Sequence, residues 1–292
     1  MTFSGSIVAL VTPFRNGKID FKSLTGLIHR HLESGTDGIV PCGTTGEAST
    51  LSFAEHKEVL RFVVKEVAKR IPVICGCGSN NTMEALELNE YSKKIKADGV
   101  LVVTPYYNRP TQEGLFRHYK TLTTRVAIPM VLYNVPARTG SNLLPDTVAR
   151  LSQFKNIVAV KEASGSLDQA SEIIRKCDLT VISGDDSLTL PLLSVGAKGV
   201  ISVSANAIPD KVSALVHAFL NGDIEQAQKI HYEIFDLNKH LFIEPNPVPV
   251  KTALSLMKWI SSSEVRLPLC EMKAENNGIL KKTLQALNLI RS

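Results

Sequence analysis

No stretch of this 292-residue chain approaches the roughly 18 consecutive apolar residues that a membrane helix requires. No run of five or six like charges occurs either. The 33 basic and 28 acidic residues are interspersed, so the net charge of +5 implies no nucleic-acid or membrane-surface partner. The N-terminus, Met1 to Pro13, lacks the basic, apolar and small-residue sequence of a secretory signal, and a cytoplasmic protein is expected. The five cysteines are odd in number and contain no C-x-x-C pair, and the seven histidines contain no H-E-x-x-H. Buried, reduced thiols are expected, with no disulfide framework and no metal site. What is present is an ordinary globular balance of 44% hydrophobic and 21% charged residues, enough chain for one large α/β barrel or two smaller domains.

Short β-branched apolar runs alternate with amphipathic stretches eight times. The runs are Ser6–Phe14, Gly38–Gly43, Pro72–Gly78, Gly99–Tyr107, Pro129–Pro136, Ile157–Ala163, Leu179–Asp185 and Gly199–Ala205. Eight strand–helix units argue for α/β architecture of the (β/α)8 TIM-barrel type. A doubly wound open sheet would normally have fewer strands and a G-x-G-x-x-G turn after the first, which is missing. The barrel is expected over residues 1–222. Residues 223–292 are expected as a C-terminal helical extension packed on its flank, too small for an independent domain.

The sixth run, I-V-A-V-K-E-A, carries a lysine. Strand geometry puts Ile157, Ala159 and Lys161 on one face and Val158, Val160 and Glu162 on the other. An ammonium held in an apolar wall should lose proton affinity and become a competent imine-forming nucleophile. The competing reading has Lys161 snorkelling to solvent, paired with Glu162 or Asp185, and these residues alone leave both open. In a barrel the reactive face lies at the C-terminal strand ends. There, C-G-T-T-G-E (Cys42–Glu47) offers an anion nest with the Thr44 and Thr45 hydroxyls. Tyr133 ends the strand before Lys161, within reach for proton transfer. Arg138 offers a fork for a carboxylate, or a loop salt bridge. Gly184 permits close approach of backbone and ligand.

Together G-T-T-G-E at Gly43, Y-Y-N-R-P at Tyr106, Y-N-V-P-A-R-T-G at Tyr133, V-K-E-A at Val160 and E-P-N-P-V-P-V-K at Glu244 resemble one family across nearly the whole chain. It is the pyruvate-dependent class I aldolase group of dihydrodipicolinate synthases and N-acetylneuraminate lyases. The resemblance implies a carbon–oxygen lyase of the synthase branch, condensing pyruvate with L-aspartate 4-semialdehyde in lysine and diaminopimelate biosynthesis. It implies no cofactor beyond the covalent imine with pyruvate. Lys161 would form that imine. Tyr133, Thr44 and Tyr107 would relay protons, with Tyr107 supplied by a neighbouring subunit of a homotetramer built as a dimer of dimers. Thr45 and the Ile201 backbone would hold pyruvate, and Arg138 the aldehyde's carboxylate. An N-acetylneuraminate or 2-keto-3-deoxy-sugar-acid lyase on the same scaffold is the alternative. A guanidinium suits a short acid better than a polyol tail. A non-catalytic acid-sensing barrel would have little use for the lysine, tyrosines and threonines together. Inhibition by L-lysine would involve Ser49, His56, Asn80, Glu84 and Tyr106. Phe53 departs from the histidine of lysine-sensitive relatives, and Glu84 could instead serve with Asn81 in helix capping.

Overall fold

The computed structural model describes residues 3–291. Eight parallel strands form the sheet: β1 Gly5–Ala9, β2 Gly38–Val40, β3 Ile74–Gly76, β4 Gly99–Val103, β5 Met130–Asn134, β6 Ile157–Glu162, β7 Thr180–Ser183 and β8 Gly199–Ser202. Their order is β2-β1-β8-β7-β6-β5-β4-β3, and an Ile39–Val73 bridge joins the two outermost strands into a ring. Helices α1 Phe21–Glu33, α2 Phe53–Val67, α3 Thr82–Lys94, α4 Gln112–Arg125, α5 Pro136–Thr139, α6 Pro145–Leu151, α7 Leu167–Lys176, α8 Thr189–Ser194 and α9 Pro209–Leu220 cover the outside. Three more follow: α10 Ile224–His240, α11 Val248–Leu256 and α12 Ala274–Ala286. This is the TIM barrel with a C-terminal helical extension that the periodicity predicts. Local chemistry starts the helices where expected. The Asp20 carboxylate accepts the Ser23 N–H at 3.0 Å, and Ser52 with Glu55 forms a reciprocal capping box before α2.

Alternation of side chains separates two apolar clusters. Ile7, Val40, Ile74, Leu101, Val131, Ala159, Ile182 and Ile201 fill the barrel interior. The opposite strand faces pack against the helices. Phe3 plugs the N-terminal end so closely that a methyl group on Gly99 would lie 2.7 Å from its ring. The interior is therefore solid below, and polar groups collect only at the C-terminal end. The extension contributes Leu237, Leu241, Val250, Ala253 and Leu254 to the same outer cluster as the barrel helices.

The strands end short of the sequence runs, β2 at Val40, β4 at Val103 and β8 at Ser202 among them, and two expectations need fuller correction. The first strand ends at Ala9, and Leu10 to Pro13 run as a buried loop. Phe14–Arg15 then pairs with Lys18–Ile19 in a small antiparallel ribbon. Apolarity continued past the sheet because the loop is itself covered. Ile157 does not share a face with Lys161. Met130 pairs with Ile157 but Val131 with Ala159, so a bulge at Val158 turns Ile157 outward. Ala159 and Lys161 keep the inward face.

Two histidines make stability depend on pH. Burial pushes His31 down to about 3 and His118 down to about 4. Both fold as neutral rings, while the unfolded chain protonates them near 6.5. Their contribution is complete above that pH and is lost as pH falls toward the folded values, at up to about 1.4 kcal/mol per pH unit each. Thermal unfolding followed from pH 7 to 5 should show a falling melting temperature, with a shallower slope in His118→Gln. An unchanged slope would contradict the assignment.

Candidate active site

Tyr133 and Lys161 are paired residues of neighbouring strands and share the barrel's uppermost inward layer. Lys161 is 5% exposed, and its ammonium nitrogen lies 4.2 Å from the centre of the Tyr133 ring. Among the described residues it has no ion-pair partner. Glu162, on the opposite strand face, accepts hydrogen bonds from the Asn134 and Gln169 amides and the Ser164 N–H at 2.7–3.2 Å. Asp185 is engaged by Ser187. Neither carboxylate serves Lys161, so the snorkelling reading fails. The amine is buried, uncommitted and set against a phenol.

The residues adjacent to this pair hold it in place. Asn134 and Glu162 are also register partners, back to back with Tyr133 and Lys161. Asn134 donates to the Asn142 side chain at 2.8 Å and accepts the Leu143 N–H at 2.9 Å. This network ties β5 and β6 to the following loop. At the top of β7, a methyl group on Gly184 would lie 3.0 Å from Lys161 Cε and 2.6 Å from Ala163 Cβ. Gly184→Ala should therefore displace the lysine stem. A loss of at least about tenfold in kcat, with destabilisation of roughly 1–3 kcal/mol, is expected from steady-state kinetics and thermal melts. Beside it, buried Asp186 accepts the Ser202 hydroxyl and the Val203 and Ser204 N–H groups, fixing the end of β8 just after Ile201. Burial pushes the Asp186 carboxyl up, and those hydrogen bonds oppose the shift.

In front of Tyr133 opens a cavity of about 390 Å³ lined by Thr44, Tyr133, Arg138, Thr139 and the glycines Gly43, Gly76 and Gly78. In the turn after β2, the N–H groups of Gly46, Glu47 and Ala48 bond back to Gly43 and Thr44. Those of Thr44 and Thr45 have no protein acceptor among the described residues and are free for an anion. Arg138 stands on the one-turn helix α5, exposed and in no ion pair among the described residues, so it is no loop salt bridge. Thr45 is buried behind Thr44, and its hydroxyl accepts the Asn246 amide at 3.0 Å.

Ser49, His56, Glu84, Tyr106 and Phe53 line the outer part of the same cavity. The His56 Nε2–H donates to the Gly76 carbonyl at 2.8 Å, and burial lowers its proton affinity. Glu84 accepts the Ser79 hydroxyl at 2.8 Å and the Asn81 amide at 3.4 Å, while Asn81 caps α3 through the Met83 N–H. Asn80 and Tyr107 do not line it. Tyr107 is 90% exposed, in left-handed backbone at φ 71°. Motif residues without an assigned role from sequence prove structural to the site: Glu47, Asn246 and Lys251. Glu47 and Lys251 form a fully buried ion pair at 2.7 Å. Both closed motifs already quoted, G-T-T-G-E and E-P-N-P-V-P-V-K, which was the available signal. Cys42, Cys75 and Cys77 are free, buried thiols as expected, with proton affinity raised by burial.

Residues 2–287 match the Dihydrodipicolinate synthetase family. The chain is 56% identical over 290 residues to the 4-hydroxy-tetrahydrodipicolinate synthase of Geobacter metallireducens, covering 99% of this chain and all of the relative. Its fold is similar to that of the chloride-inhibited dihydrodipicolinate synthase from Acinetobacter baumannii complexed with pyruvate, at a TM-score of 0.97 and 44% identity, covering 99% of this chain and 100% of that one. It is also similar to the dihydrodipicolinate synthase from Cyanidioschyzon merolae with lysine bound, at a TM-score of 0.96 and 40% identity, with the same coverage.

Proposed function

The chain belongs to the dihydrodipicolinate synthetase family, and on that premise we propose that it condenses pyruvate with L-aspartate 4-semialdehyde to give 4-hydroxy-tetrahydrodipicolinate, a step of lysine and diaminopimelate biosynthesis. One observation carries the reading: an unpaired, buried Lys161 amine lies against Tyr133, whose cavity is shared by Thr44 and Arg138. The amine attacks the pyruvate keto carbon, and loss of water gives the imine. The imine acidifies the methyl group, whose deprotonation yields an enamine that attacks the aldehyde carbon. The semialdehyde's amino group then adds to the imine carbon, closing the ring and releasing Lys161. Each step moves protons at one place. Tyr133, with its hydroxyl unbonded among the described residues, and Thr44 beside it are the groups suited to carry them.

The free N–H groups of Thr44 and Thr45, with the β8 backbone at Ile201, would bind the pyruvate carboxylate, and Gly184 leaves room for the imine. Arg138 would pair with the semialdehyde carboxylate. The exposure and strained backbone of Tyr107 support its serving a neighbouring subunit in a homotetramer, which solution mass would check. A cytoplasmic location is part of the same proposal; among the described residues no helix is long and apolar enough to cross a membrane. L-Lysine would bind in the outer cavity, where Glu84 offers its ammonium a counter-charge beside Ser49, His56 and Tyr106. Asn80 would act from just outside, and Phe53 sets the wall opposite. The condensation assay, run with and without lysine and against N-acetylneuraminate cleavage, tests the reading. Turnover of the semialdehyde and none of the sugar acid is expected; the reverse would overturn it.

A further inference from the structure

The turn that carries Thr44 and Thr45 is gripped by a segment two hundred residues further along the chain. Glu47 closes the turn in left-handed backbone at φ 53°. Its carboxylate points away from the cavity into the protein. One oxygen takes the Lys251 ammonium at 2.7 Å and the other accepts the Arg266 backbone N–H at 3.1 Å. Both side chains of the pair are sealed, at 0% and 1% exposure. Lys251 and Arg266 each stack on Phe14, at 4.2 and 4.3 Å from its ring centre. Arg266 is anchored in turn by two hydrogen bonds to Glu55, at 2.6 and 2.8 Å, and one to the Thr50 carbonyl. A second strut comes from the same segment. The Asn246 amide donates to Thr45 Oγ1 at 3.0 Å, so the Thr45 proton is left for another acceptor. A third tie, from Thr12 to the Gly46 carbonyl at 2.7 Å, comes from the β1 side.

A fully buried ion pair contributes little net stability relative to apolar packing, but it fixes geometry: Glu47 is the one carboxylate in salt-bridge contact with Lys251 among the described residues, and the Arg266 backbone N–H holds the other Glu47 oxygen. Its placement one residue beyond Gly46 couples it directly to the threonine hydroxyls and N–H groups. We infer that Lys251 and Glu47 are positioning residues: the C-terminal extension uses their buried pair to preset the Thr44–Thr45 cradle in its pyruvate-binding shape. The extension is then part of the binding apparatus and not a flank covering alone. This inference rests on the reading that the cradle holds pyruvate.

The test uses the full-length Glu47→Gln, Lys251→Met and Glu47→Gln/Lys251→Met variants beside wild type, measuring melting temperature and the kinetic constants for both substrates. Borohydride trapping of wild type with pyruvate comes first. If wild type forms no adduct, the functional reading falls independently of this one. Each single variant leaves one buried charge unpaired and should melt lower. Each should also raise KM for pyruvate about tenfold or more and lower kcat through the displaced Thr44, with KM for the semialdehyde changed less than about threefold. In the double variant no charge is orphaned. Its melting temperature should recover while KM for pyruvate stays high. Recovery of both would reduce the pair to mutual charge neutralisation, and lowered melting with wild-type KM would make it structural only. Failure of all three variants to fold would likewise assign the pair to folding. Any of these results overturns the inference.

Discussion

Lys161→Ala is expected to abolish condensation while leaving the fold intact. The amine touches the Tyr133 ring and nothing charged among the described residues, so its removal orphans no partner. Truncation of an unpaired buried polar group should cost little, and a stability change within about 1 kcal/mol is expected from thermal melts. Covalent catalysis has no ready substitute: the other buried lysine among the described residues, Lys251, is committed to Glu47. Loss of kcat/KM on the order of 10⁴-fold or more follows, comparable with removal of other covalent nucleophiles. Full or near-full activity in this variant would reject the imine mechanism.

Arg138→Ala should separate the two substrates. Arg138 is exposed on α5, outside the buried Tyr133–Lys161 layer, so pyruvate should still form its imine at close to the wild-type rate. A guanidinium–carboxylate contact is a charge-assisted hydrogen bond, and its loss costs about 3 kcal/mol, or roughly 10²-fold in kcat/KM for the semialdehyde. Steady-state kinetics with each substrate varied, together with borohydride trapping, check both halves. Unchanged semialdehyde kinetics would remove Arg138 from substrate recognition. Loss of the pyruvate adduct as well would move it to the imine step.

The barrel was legible because each strand is a short β-branched run buried on both faces and bounded by turn residues, a local signal. The sites at the strand ends were legible for a related reason: in this architecture a polar residue finishing an apolar run has only one place to go. That placed Tyr133 and Lys161 at the mouth, but whether Lys161 paired with Glu162 or Asp185 stayed open, and only the fold shows both carboxylates engaged elsewhere. The bulge at Val158 was not legible, because it depends on how many residues of β5 stand opposite β6. The early end of β1 was not legible either, since Leu10 and Val11 are buried in the outer apolar cluster although they lie beyond the strand. Glu47 and Lys251 lie 204 residues apart. Each alone reads as an ordinary charged residue, and only the tertiary fold makes them a pair. Arg138 left two readings open on spacing, and its position on the cavity wall without an ion pair among the described residues removes the salt-bridge one.

The central claim is that one uncommitted amine at the barrel mouth forms an imine with pyruvate. It is tested most directly by incubating the wild-type protein with pyruvate, reducing with borohydride and mapping the product by mass spectrometry. The account predicts a single modification per chain, equal to pyruvate less one water plus two hydrogens, on the peptide carrying Lys161. An unmodified protein, or the same modification on any other lysine, would contradict it.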